Sequence, residues 1–218
     1  MNKLNVTTRT KVNRLPKRAS YDTDVMFDIL DDAFVCHIAF KFKGQINIIP
    51  TIYGRKDDTI FIHGSNKSRM LKSFESGEEV CVSVTIVDGI VLAKSAFHHS
   101  INYRSLIIFG RPRKIETREE KEKALQIIFN HFIPGRWDEI RKPNKKELDV
   151  TLVYSFKINE ASAKIREGDP IDDKEDEQLN IWAGVLPIKT ISYEPIRAGN
   201  LNKNIILPEY LKKVQISK

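Results

Sequence analysis

At 218 residues, with 41% hydrophobic and 30% charged side chains, the chain is long enough to bury a full core and has the balance of a globular protein. Thirty-six basic residues against 29 acidic ones give a net charge of +7. No Lys/Arg block concentrates that charge, which argues against nucleic-acid binding and suits a phosphorylated small molecule or solubility alone. No apolar run approaches the about 20 residues of a membrane-spanning helix, and the basic N-terminus lacks the apolar stretch of a signal peptide. It resembles a transit peptide only in lacking acidic residues, so a cytoplasmic protein with no membrane partner is the expectation. Cys36 and Cys81 lie far apart without metal-type spacing, and read as free thiols.

Residues 1–20 read as an extended arm carrying Lys11, Arg14, Lys17 and Arg18. Asp22 or Thr23 caps a short helix to Leu30, with Val25, Met26, Ile29 and Leu30 on one face. The stretch 34–40 is strand-like and turns near Gly44 into a second strand, 46–53, in which Pro50 requires a sheet edge or a bulge. A polar turn at 55–58 precedes a third strand, 59–63. Hairpins in succession make an antiparallel sheet.

After Gly64 the period changes. Met70, Leu71 and Phe74 fall at helical spacing, and Gly77 stops the helix. The intervening loop holds Gly64, Ser65, Asn66, Lys67, Ser68 and Arg69 where backbone N–H groups are free and the helix dipole is positive. Lys and Arg at that end oppose the dipole unless an anion is present, so the loop reads as a phosphate site. The alternative is a serine-capped surface helix with solvated charges.

The stretch 80–110 organises the rest. Val80, Val82, Val84 and Ile86 alternate with small polar residues, as in a half-buried strand. Asp88 and Gly89 signal a turn. A crowded polar run follows (Lys94, Ser95, His98, His99, Ser100, Asn102, Tyr103, Arg104, Ser105) and leads into a second apolar strand. Ordering such a run beside a core is costly without solvent or a ligand, so it marks the edge of a binding site.

Beyond a strand at 103–115, Thr117 and Glu120 form a capping box for a helix to about Phe132, with Ala124, Leu125, Ile128, Phe129 and Phe132 as its buried stripe. Pro134 and Gly135 end it. Residues 136–147 read as a charged loop, 149–158 as a strand and 161–176 as polar and acidic with a turn at 168–170. Residues 181–188 are short and apolar, with Trp182. Six or seven strands and two or three helices predict a mainly β chain with helices packed outside a small barrel. A domain at 1–188 and a tail at 189–218 are expected, Pro208 opening a helix through Val214.

No HExxH, paired-histidine spacing or carboxylate cluster points to a metal. Ser95, His98 and Asp88 make a triad on paper, but without a nucleophile elbow. GxGxxG and GxxxxGK[ST] are both absent, so the common dinucleotide and nucleotide loops are excluded.

Several words recur in order: RxxxRASYD (14–22), IIPTIYGR (48–55), FIHGSNKSRML (61–71), VDGIVLAKSAFHHSINYRSLIIFG (87–110), PGRW, SAKIREGDPIDD and WAGVLP. They resemble the flavin-binding split-barrel proteins, the pyridoxamine 5′-phosphate oxidase-like superfamily, nearest to the nitroimidazole-reductase-related branch. The resemblance implies an antiparallel split β-barrel and a homodimer with FMN at its interface. It implies a phosphate held by His63, Gly64, Ser65, Asn66, Lys67, Ser68 and Arg69, although the superfamily's Ser-Arg-Lys is here Ser68, Arg69, Met70, with Lys67 placed before. Pro50, Thr51, Ile52 and Tyr53 would line the flavin ring through their backbone. Ser95, His98, Asn102, Tyr103, Arg104 and Ser105 would reach the flavin or a small-molecule substrate, some from the partner chain, and Trp182 corresponds to a late tryptophan closing the site.

The expected activity is hydride transfer through the flavin, with NADH or NADPH as a plausible donor and His98, His99 or Tyr103 as candidate proton donors. The alternative is a non-catalytic flavin- or haem-binding module, haem ranking below FMN.

Overall fold

Two antiparallel sheets divide the strands of a computed structural model that describes residues 3–213. In chain order the elements are β1 (Ala19–Ser20), α1 (Thr23–Asp32), β2 (Val35–Phe42), β3 (Gln45–Ile52), β4 (Gly54–Lys56), β5 (Thr59–Ser65), α2 (Arg69–Ser73), β6 (Val80–Leu92), β7 (Ser100–Gly110), β8 (Arg113–Lys114), α3 (Arg118–Phe132), α4 (Arg136–Glu139), α5 (Lys145–Asp149), β9 (Thr151–Lys157), β10 (Ala161–Arg166), β11 (Gly184–Pro187) and α6 (Glu209–Lys213). The larger sheet runs β1-β10-β7-β6-β2-β3, with β11 also on β6; the smaller runs β4-β5-β9-β8. This is the antiparallel split barrel that the resemblance implied, built from two sheets rather than one continuous ring. Val214 lies outside the described residues, so only α6 bears on the expected C-terminal helix.

Local signals account for several boundaries. The Asp22 carboxylate accepts from the Asp24 amide and caps α1. Thr117 accepts from the Glu120 amide and caps α3. Pro50 sits on β3, the terminal strand of its sheet, where a missing N–H costs no ladder bond. Gly77 closes the turn after α2 at φ 69°, a conformation that favours glycine. At Gly54 the main chain of β4 runs against α3 so closely that a Cβ would lie 2.5 Å from the Ile128 Cα, and this contact seats α3 on the small sheet.

The core fills the space between the sheets. Met26, Ile29 and Leu30 of α1 meet Ile38, Val82, Val84, Leu106 and Ile108 of the large sheet and Ile60, Ile62 and Phe156 of the small one. Phe74 is edge-on to Phe40, Tyr154 and Phe156 at 6.3, 5.2 and 5.7 Å. Truncating a buried aromatic hub of this kind to alanine costs about 3–5 kcal/mol. A smaller cluster of Leu125, Trp137 and Leu148 holds α4 and α5 on α3.

Three sequence expectations change. Asp88 and Gly89 do not turn the chain: β6 runs through them as a bulge, its register against β7 slipping between Val87 and Gly89. The bulge separates the half of β6 that pairs with β2 from the half that pairs with β11. The charged region 136–147 contains α4 and starts α5, which Asn144 and Glu147 open with a reciprocal capping box. The polar region after residue 160 begins with β10, whose inward face is built mainly from alanines. Cys36 is buried, which pushes its thiol up to about 12, and neither cysteine forms a disulfide.

Candidate functional site

The 64–69 loop follows directly from β5, whose register with β9 holds Gly64 opposite Leu152 and Ser65 opposite Thr151. Its shape is internally fixed. The Asn66 amide donates to Val150 O at 3.0 Å, the Ser68 amide to Ser65 O at 2.9 Å and the Lys67 amide to Ser65 Oγ at 3.2 Å. Ser68 caps α2 by accepting from the Leu71 amide at 3.5 Å. The amides of Arg69 and Met70, in the first turn, have no intrahelical acceptor. Lys67 and Arg69 are exposed and enter none of the ion pairs among the described residues. Two unneutralised cations on a rigid loop supply what a phosphoryl group requires.

His63 precedes this loop. Burial holds its pKa below the ordinary histidine value, so the ring is neutral at pH 7. Its Nδ1 is buried without a hydrogen-bond partner among the described residues. Ser95 Oγ, in the second predicted stretch, is likewise buried and unpartnered. Native proteins seldom leave such atoms unanswered. Both belong to stretches that the resemblance assigned to a flavin, and a ligand carrying donors and acceptors would satisfy them.

The β3 residues divide by side chain. Pro50 is exposed and Thr51 and Ile52 are half-buried. Tyr53 is fully buried, its hydroxyl donating to Leu30 O at 2.5 Å or Ala33 O at 2.8 Å, and its ring 4.8 Å from that of His131. Its side chain anchors α1 to the barrel, leaving only the backbone for the predicted ring contact.

The 95–105 stretch is held by residues that the sequence did not bring together. Asp172 Oδ1 accepts from the Lys94 amide at 2.9 Å, and Lys94 Nζ donates to Glu177 O and Leu179 O at 2.5 and 2.9 Å. His98 Nε2 lies 3.0 Å from Asp173 Oδ2. The acidic 172–179 segment thus latches over the short 3-10 turn at Ala96–His98. His99 Nδ1 sits 2.9 Å from Ser95 O. Donation to that carbonyl leaves Nε2 with its lone pair unengaged, the arrangement found in metal-ligating histidines. Tyr103 is half-buried on β7, opposite Val87 of β6 and Arg166 of β10.

Arg104, Asn102 and Ser105 have partners inside the chain. Arg104 grips Asp88 with Nε and Nη2 at 3.0 and 2.9 Å and Asp32 with Nη1 at 2.5 Å. The β6 bulge aims Asp88 at this contact. Asn102 donates to Gly168 O and accepts from Arg166, and Ser105 donates to Lys164 O. Trp182 is exposed and lies against Gly184. Among the described residues, no group of His, Cys, Asp or Glu is arranged to hold a metal ion, and no helix is long and apolar enough to cross a membrane.

A family model described as pyridoxamine 5′-phosphate oxidase matches residues 22–165. The structure of a flavocytochrome from Azotobacter vinelandii is 34% identical, with a TM-score of 0.90 over 95% of this chain and 96% of that one. An FAD- and haem-binding protein from Mycobacterium smegmatis is 33% identical, with a TM-score of 0.88 over 92% of this chain and 100% of that one. A protein described with 5-nitroimidazole antibiotic resistance, from Bacteroides thetaiotaomicron, is 20% identical, with a TM-score of 0.58 over 67% and 86%, and shares the fold alone. No curated protein matches the sequence.

Proposed function

The chain belongs to the pyridoxamine 5′-phosphate oxidase family, and from that premise we propose that it is a flavin- and haem-binding redox protein that works as a homodimer. One observation carries the reading. The likeness to the flavocytochrome leaves only about 5% of the chain uncovered, whereas the family match stops at residue 165. The shared part therefore includes most of the 166–213 region as well as the barrel. Haem therefore stands beside flavin in this proposal, not below it.

A bound flavin supplies hydride and single-electron chemistry, and a haem supplies one-electron exchange. The chain's own residues hold and tune them. Lys67 and Arg69 neutralise the phosphoryl end common to FMN and FAD. His63, kept neutral by burial, offers Nδ1 as a hydrogen-bond partner. His99 is the ring best prepared for iron, because Ser95 O fixes its Nδ1. The outward face of β3 shows Ile46 and Ile48, 82% and 64% exposed, a surface that a second copy would cover.

Two variants test this reading separately. Lys67→Gln/Arg69→Gln lowers flavin occupancy at least tenfold without unfolding the chain. His99→Ala removes the Soret band while flavin stays bound. Full flavin retention in the first variant, or an unchanged Soret band in the second, contradicts the corresponding assignment.

A further inference from the structure

Four arginines of this molecule share one form of pairing. Arg9, Arg55, Arg104 and Arg118 each present the edge formed by Nε and Nη2 to a single carboxylate, of Glu160, Asp31, Asp88 and Asp149 respectively. That side-on grip is the preferred geometry for a planar oxyanion. Arg166 differs, and among the described residues it is the buried arginine. It is only 7% exposed, yet its partners are all neutral: Asn102 Oδ1 and Gly168 O on Nη1, and Asp169 O on Nη2. Its Nε is buried with no partner among the described residues.

A buried guanidinium without a counter-charge is expensive, and the surroundings increase the cost. Burial and the neighbouring charge of Arg18 both hold the pKa of Arg166 below the ordinary guanidinium value. The 3-10 turn Pro16–Arg18 is placed against β10 by β1, which pairs Ala19 with Lys164 and Ser20 with Ala163. Leu15 enters that turn at φ 57°, a conformation disfavoured for any L side chain, so the turn is held in place against its own preference. Between this turn and the 166–169 turn lies a cavity of about 390 Å³ lined by Lys17, Arg18, Ser20, Arg166, Glu167 and Asp169. Neither carboxylate forms an ion pair with any of the three cations among the described residues.

We propose that this cavity is an oxyanion site in which Arg166, Arg18 and Lys17 receive a phosphoryl or carboxylate group of a ligand. It is separate in sequence from the 64–69 loop and uses none of that loop's residues. Arg166 supplies the buried charge, Arg18 and Lys17 supply charge at the cavity wall, and the Ser20 hydroxyl lies beside them as a donor.

The test is calorimetric titration of the purified, cofactor-loaded protein with inorganic phosphate, ADP and succinate, with flavin content followed throughout. One saturable site per chain is expected for at least one probe, weakening with salt. Arg18→Gln reduces affinity about tenfold, the loss of one charge-assisted contact, and Lys17→Gln reduces it less, both with flavin content unchanged. Binding of phosphate and ADP identifies a phosphoryl ligand; binding of succinate alone identifies a carboxylate. The inference is overturned if no probe saturates or if both variants bind like the parent. It is equally overturned if binding survives Arg18→Gln but vanishes in Lys67→Gln, since the anion would then sit on the 64–69 loop.

Discussion

The two ends of the chain both run outside the barrel, but they solve the same problem differently. The N-terminal arm is satisfied within its own chain. Arg9 bridges Glu79 and Glu160 and lies 4.4 Å over the Phe109 ring, Thr7 Oγ1 donates to Glu160 at 2.7 Å, and the Tyr21 hydroxyl donates to Thr10 O and accepts from the Val12 amide. The C-terminal stretch 188–207 is tied to the rest of the chain near both ends. The Ile188 amide donates to Asp88 O, and past the stretch Tyr210 meets Arg136 and Glu139. Every residue between is exposed, Ile196 at 97% and Ile206 at 83%. A strap that exposes this many apolar side chains offers a surface to a second copy. The arm is therefore part of the protomer's stability, and the strap is part of the assembly that we propose.

The largest expected effect breaks the strap. Ile196→Asp/Ile206→Asp shifts the protein from dimer to monomer by at least about a hundredfold in dissociation constant, read by sedimentation equilibrium, while the melting temperature of the isolated protomer barely moves. A dimer of parental strength would show that the strap lies elsewhere. Next comes the arm. Tyr21→Phe removes a hydroxyl that serves two backbone groups and costs about 1–2 kcal/mol, a fall in melting temperature of roughly 2–8 °C, with the oligomeric state unchanged.

Smaller still is the pH response. Hydrogen bonds from Arg9 and then Thr7 hold the Glu160 carboxyl down at about 2, against an ordinary value of 4.5. A depressed carboxylate pKa contributes stability that is fully present above the ordinary value and is lost as pH falls through the folded one. Hydrogen exchange should therefore show the arm docked at pH 5 and loosening between about pH 4.5 and 2. Loosening already at pH 6 would mean that Arg9 and Glu160 do not hold it.

How far the sequence reveals these features depends on the range of the interaction. Asp22, Gly77 and Thr117 act on neighbours within a turn, and their caps and stops are legible. Asp88 and Gly89 look like a turn because their local preference is for one; pairing across to β7 and β11 overrides it. The strand β10 is illegible because Ala161 and Ala163 make a buried face without the bulk that marks a strand. At α5 the signal was present, since Asn144 and Glu147 stand at capping-box spacing.

In the candidate site, the cations Lys67 and Arg69 can be found from a loop's composition. The acidic latch on Lys94 and His98 cannot, because Asp172 and Asp173 arrive from more than 70 positions away. The same holds for Arg166, whose lack of a counter-charge becomes visible only once every neighbour is in place.

The visible absorption spectrum of the purified full chain, with its flavin extracted and identified, tests the central claim most directly. Flavin bands together with a Soret band, at one flavin per chain, are the predicted result. A colourless protein that takes up neither flavin nor haem when both are supplied would contradict it.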